Sequence, residues 1–124
     1  MKKSNEKTLE SLKNLWKRKE ELLGVLVADH PVLIGTVYDT LRRCGNPTCH
    51  CAQKPSHLQT LVHFKKPSGQ HCCHFVRQED ADALRRAMDL YRQWREAMRE
   101  FQTLQTRERK LLKVQIQKRG IQPK

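Results

Sequence analysis

"GTVYDTLRRCGNPTCHCAQKPSHLQTLVHFKKPSGQHCCHFV", residues 35–76, decides the fold of this 124-residue chain. It contains three runs rich in β-branched and aromatic residues, at 36–44, 57–64 and 71–76. Runs of this kind suit half-buried strands. Along the first, alternation sends Val37 and Leu41 to one face and Tyr38 and Thr40 to the other. Between the second and third, "KKPSGQ" supplies Pro67, Ser68 and Gly69, which favour a tight turn. The stretch reads as a small three-stranded antiparallel sheet with a cysteine cluster in its first inter-strand loop. A sheet this small needs a cover or a staple.

On both sides the apolar period becomes helical. Residues 5–23 carry Leu9, Leu12, Trp16 and Leu23 on one stripe, broadened by Leu15 and Leu22. Ser4 or Asn5 suits the cap and Gly24 the stop. His30-Pro31 then interrupts any helix. From Glu79 onward Leu84, Ala87, Tyr91, Trp94, Met98 and Phe101 repeat at alternating spacings of three and four, a heptad seam. Leu104, Leu111, Leu112 and Ile116 continue it less regularly. A helix of ~35 residues is expected there, long against the usual mean near 12. The N-terminal helix can cover only part of it, so a second copy of the chain is the expected cover for the rest, with a monomeric helical hairpin as the alternative.

The expected fold class is therefore α+β: a three-stranded antiparallel sheet with a Cys/His metal knuckle, an N-terminal helix and a long coiled-coil-like C-terminal helix. The corresponding segments are 1–30 (amphipathic helix), 31–78 (metal-stapled β region), 79–118 (long helix) and 119–124 (basic tail).

No apolar run approaches the roughly 20 residues that span a bilayer. "MKKSNEKTLE" has no apolar core behind its lysines, so it does not read as a signal peptide. The expected location is the cytoplasm, where clustered thiols favour metal or redox roles over structural disulfides. Cys44, Cys49, Cys51 and His57 form a C-x4-C-x-C-x5-H set, with Gly45 and Pro47 shaping a tight knuckle. Zn2+ takes four such ligands tetrahedrally. Arg42 and Arg43 offset part of the thiolate charge. His50 points away if the backbone is extended there. His71 with Cys73, or Cys72 with His74, could complete a site if the loop folds back, but packing is the commoner role for Cys72 and Cys73.

No isolated C-x-x-C in a βαβ setting, HExxH, phosphate loop or nucleophile elbow is present, and the only acids between 24 and 78 are Asp29 and Asp39. The metal is therefore expected to be structural and the protein not an enzyme. The net charge is +12, and half of the excess lies between Arg107 and Lys124. That imbalance favours polyanions, with a solubilising tail as the bland alternative.

The block "GTVYDTLRRCGNPTCHCAQKPSH" resembles an uncharacterised family of short bacterial and phage proteins. Its signature is Gly-Ser/Thr, a strand, Arg-Arg-Cys-Gly-Lys-Pro-Asn-Cys-x-Cys and a histidine, followed by a long helix. Gly35, Thr36, Arg42, Arg43, Cys44, Gly45, Pro47, Cys49, Cys51 and His57 match by position. Asn46 and Thr48 replace the usual Lys and Asn, and Leu58, Gln59 and Thr60 stand where Gly-Pro-Tyr is usual. The resemblance implies a mobile-element or transposon-associated protein and brings no established activity.

Two functions follow as expectations. One is a zinc-stabilised nucleic-acid-binding accessory, DNA more than RNA. Its phosphate contacts would come from Arg42, Arg43, Lys65, Lys66, Arg77, Arg107, Arg109, Lys110, Lys113, Lys118 and Arg119. The other is a protein–protein adaptor that docks or dimerises through Leu84, Tyr91, Trp94, Met98 and Phe101. Tyr38, Phe64 and Phe75 could stack on single-stranded bases, although strand aromatics more often pack in cores.

Overall fold

The computed structural model of the chain describes residues 2–43, 45–54 and 57–123. Its elements run α1 (Lys2–Leu26), β1 (Gly35–Arg42), a 3-10 turn (His50–Ala52), β2 (His57–Lys65), β3 (His71–Val76) and α2 (Gln78–Arg119). The expected α+β architecture is present, with a three-stranded antiparallel sheet in the order β1-β2-β3. Two compact bodies divide it. One comprises residues 1–29 and 93–124, the other residues 30–92. The expected linear segments 1–30, 31–78, 79–118 and 119–124 therefore differ from the compact bodies. The long helix contributes residues 78–92 to one body and 93–119 to the other.

In the sheet body, β1 pairs with β2 from Gly35↔Phe64 to Arg42↔His57, and β2 pairs with β3 from Thr60↔Val76 to Lys65↔His71. The β2–β3 hairpin closes where expected, with Gly69 N–H donating to the Lys66 carbonyl at 2.8 Å and Gly69 at φ +94°. Only glycine takes that dihedral without strain. β1 ends at Arg42, so Arg43 of the expected strand lies beyond it, and Cys44, its expected last residue, lies outside the described residues.

One sheet face is covered. Val37, Thr60 and Val62 are buried on it, and so is Ala81 in the first turn of α2. Leu41 belongs to the same face by alternation but stays 54% exposed, beyond the cover. The Val37 N–H on the β1 edge is taken by the Met88 sulfur of α2 at 3.3 Å, which blunts an otherwise open edge. A polar chain ties helix to sheet. The Thr60 hydroxyl donates to Asp39 at 2.7 Å, Arg85 holds both Asp39 oxygens at 2.9 and 3.0 Å, and the Gln78 amide donates to Thr60. This network makes burial of Thr60 tolerable, because its polar atom is satisfied.

In the helical body α1 lies antiparallel to the distal part of α2. Arg18 forks onto Glu100, Trp16 and Lys19 both reach Glu108, and Lys118 reaches Thr8. The inward stripe of α1 is Thr8, Leu12, Leu15, Lys19 and Leu22, buried or half-buried. Leu12, Leu15 and Leu22 of the expected stripe are buried, while its other members are corrected: Leu9, Trp16 and Leu23 remain 43–45% exposed. Gly24 does not stop the helix, which continues to Leu26, and Asn5 lies within its first turns rather than at a cap. The α2 seam continues regularly through Leu104, Glu108, Leu111 and Gln115, all half-buried, while Leu112 and Ile116 turn outward. Leu84, Tyr91, Trp94, Met98 and Phe101 are each half-buried within the single chain.

Candidate metal centre and charged surfaces

The β1–β2 loop is built by local hydrogen bonds. Gly45 takes φ +85°. The Asn46 side chain accepts from the Thr48 amide at 3.0 Å and from its hydroxyl at 2.8 Å, an Asx turn. The Cys49 amide donates to the Asn46 carbonyl, and the Ala52 amide to the Cys49 carbonyl. These bonds tighten residues 50–52 into a single 3-10 turn that buries Cys51 completely.

The turn brings Cys49, Cys51 and His57 together, their ligand atoms all within 4.8 Å of one another. His57 Nε2 lies 3.3 Å from Cys49 Sγ. Tetrahedral zinc with ordinary bond lengths places a sulfur and a nitrogen ligand roughly 3.5 Å apart. The donor set fits a metal ion, and these three residues could hold one. Cys44, the fourth expected ligand, lies outside the described residues. His50 is not extended, as it sits in the 3-10 turn with its ring tilted against His57 at 5.8 Å. It approaches Cys49 at 3.8 Å but does not join the convergent group.

His71, Cys72, Cys73 and His74 do not complete the site. They pair along β2 from Lys65 to Val62. At about 3.3 Å per residue, that is roughly 17 Å or more from His57. Cys72 is half-buried, while Cys73 is exposed, contrary to the packing role expected for it. The Cys73 sulfur lies 3.8 Å from the Tyr38 hydroxyl, and this contact, helped by partial desolvation, holds the phenol above its ordinary pKa.

Arg42 and Arg43 share a shallow recess with His57 and Gln59. Lys65 and Lys66 are exposed at the hairpin, and Arg77 is exposed between β3 and α2 with a loose contact to Glu79 at 3.7 Å. Arg107, Arg109, Lys110 and Lys113 are exposed along α2, Lys118 donates to Thr8, and Arg119 is the last helical residue. Among the described residues, none of Arg43, Lys65, Lys66, Arg107, Arg109, Lys110 and Lys113 meets a carboxylate. Among the described residues no helix is long and apolar enough to cross a membrane.

The network of Asp39, Thr60, Gln78 and Arg85 was not legible beforehand. Its one sequence signal is Thr60, a hydroxyl inside an apolar run. No family model, curated protein or solved structure matches the chain.

Proposed function

We propose that the chain is a non-catalytic, zinc-stabilised nucleic-acid-binding accessory or regulatory protein of a mobile element or phage. It would act in the cytoplasm and contact the phosphate backbone of DNA. The observation that carries this reading is the set of exposed cations, Arg43, Lys65, Lys66, Arg107, Arg109, Lys110 and Lys113, that meet no carboxylate among the described residues, in a chain of net charge +12. Unneutralised Lys and Arg release counterions on meeting phosphates, which drives affinity with little base discrimination. Zinc suits a site of thiolates and imidazole, and its part here is to pin the loop between β1 and β2. The acid of the sheet, Asp39, is committed to Arg85 and Thr60, which supports a structural rather than a hydrolytic metal. The resemblance of the cysteine block supports the mobile-element association.

The test is a salt titration of duplex-DNA affinity. Log affinity should fall linearly with log salt. Reversing Arg107, Arg109, Lys110 and Lys113 to Glu should abolish retention without changing oligomeric state. Undiminished binding in that variant would remove the helix from the phosphate-binding surface.

A second reading is self-association as an adaptor or homodimer. It is favoured by Leu9, Trp16 and Leu23, an exposed stripe repeating every seven residues, with Leu112 sharing a groove with Leu9 and Trp16. A seven-residue apolar repeat is what a partner helix reads. Sedimentation mass of Leu9→Lys/Leu23→Lys against the native chain decides it.

A further inference from the structure

The sheet has a second face, which its register defines. Tyr38, Leu61 and Phe75 form one row across β1, β2 and β3; Thr36, His63 and Cys73 form the next. Arg42 and His57 lie at one end of this face, and Lys65 and His71 at the other. Tyr38 is 40% and Phe75 64% exposed, so the aromatics here are not core. Phe64, the third strand aromatic, belongs to the covered face and is half-buried.

We propose that this open face, centred on Tyr38 and Phe75, is a stacking platform for single-stranded DNA. The inference rests on the nucleic-acid reading above and names the form of nucleic acid. Three features support it. First, no carboxylate lies on the face by alternation: the sheet's acid, Asp39, is on the other side, turned to Arg85. Two permanent cations, Arg42 and Lys65, therefore share the face with its aromatics and no acid opposes them, which is the charge complement of a phosphate strand. Second, the two rings stand on strands separated by β2, about 10 Å apart, which leaves one ring for each of two splayed bases. Third, the Arg42 guanidinium lies 5.4 Å over the Phe75 ring, so a permanent cation stands at the platform; a base that takes its place on the ring frees it to meet the adjoining phosphate. A duplex keeps its bases stacked on each other and offers no base face to a flat sheet. The choice of DNA is carried over from the reading above, and oligouridine tests it.

The experiment uses the full chain, loaded with zinc, and fluorescein-labelled oligothymidine of 12 nucleotides, a duplex of equal length and oligouridine, read by anisotropy at one salt concentration. Replacing Tyr38→Ala and Phe75→Ala together should weaken oligothymidine binding at least tenfold, since one stacked base is worth about 5- to 150-fold. Duplex affinity should stay within twofold, and Tyr38→Phe should bind as the native chain does. Ultraviolet crosslinking should attach thymidine to Tyr38 or Phe75. Unchanged oligothymidine affinity in the double variant overturns the platform while leaving phosphate binding standing. A native chain that binds neither single strand nor duplex overturns both. Tighter binding of oligouridine overturns the choice of DNA. A native dimer made monomeric by the double variant, with DNA affinity unmoved, assigns the face to a second copy instead.

Discussion

His57 Nε2 and Cys49 Sγ lie 3.3 Å apart although a 3-10 turn and the start of a strand separate them in sequence. Cys51, fully buried beside them, completes a three-donor arc. Without a metal, a buried thiol and a close sulfur–imidazole pair gain little. With one, they close the loop that joins β1 to β2. Purified protein should carry one zinc per chain by elemental analysis. Cys51→Ser should lose it, and chelator should lower the unfolding midpoint. At free zinc a thousandfold above its dissociation constant the coupling is about 4 kcal/mol. A metal-free protein with Cys51→Ser unfolding as the native chain does would sink the site.

Leu15 and Leu9 lie on the same helix and make opposite predictions. Leu15 is 5% exposed and Leu9 45%. Leu15→Ala should cost about 2–4 kcal/mol by transfer and cavity terms, and Leu9→Ala less than about 1 kcal/mol. Urea denaturation of the two variants checks this. Equal losses would mean that Leu9 is covered in solution, as a second copy of the chain would do.

The α1 stripe shows how far the sequence could be read. An amphipathic helix was legible, and Leu12, Leu15 and Leu22 lie on its inward line, but Leu9, Trp16 and Leu23 lie one position beyond it. That line includes Thr8 and Lys19, which no hydrophobic count selects. Lys19 is tolerated because its ammonium reaches Glu108 at 3.3 Å and lies 5.0 Å over the Phe101 ring. The α2 seam seemed to lose its regularity after Phe101 for the same reason. Its next positions include Glu108 and Gln115, and Glu108 is matched by the Trp16 indole N–H at 2.7 Å. The strands and the cysteine loop were legible because alternation and turn residues are local signals. Which sheet face α2 covers depends on long-range packing, so the exposure of Phe75 and Cys73 was not.

Gly24 and Gly35 should respond in opposite directions to alanine. A Cβ on Gly24 meets nothing within 4 Å, and the residue lies inside α1. Gly24→Ala should stabilise by about 0.5–1 kcal/mol through helix propensity and a less free unfolded chain. A Cβ on Gly35 would collide with the His63 carbonyl oxygen and lie 2.9 Å from the Phe64 Cβ. Backbone must move to admit it, at about 1–3 kcal/mol. Thermal melts of both variants give the signs directly. A stabilised Gly35→Ala would show that β1 does not pair with β2 in this register.

Glu100 gives the helical body an acid-sensitive clasp. Arg18 holds it with two guanidinium contacts, and the hydrogen bond, more than the bare charge, keeps the Glu100 carboxyl below its ordinary pKa. Arg18 is correspondingly raised, again chiefly by that hydrogen bond. A depressed carboxylate pKa means that the folded state binds its proton later than the unfolded chain does. The contribution is therefore whole above the unfolded value of about 4.3 and is lost as pH falls from there through the lower folded value. Urea midpoints taken at pH 7, 5, 4 and 3 should fall more steeply below pH 5 for the native chain than for Glu100→Gln. Salt should narrow the difference at pH 7, because both side chains face solvent. Parallel curves for the two proteins would show that the clasp contributes nothing to folding.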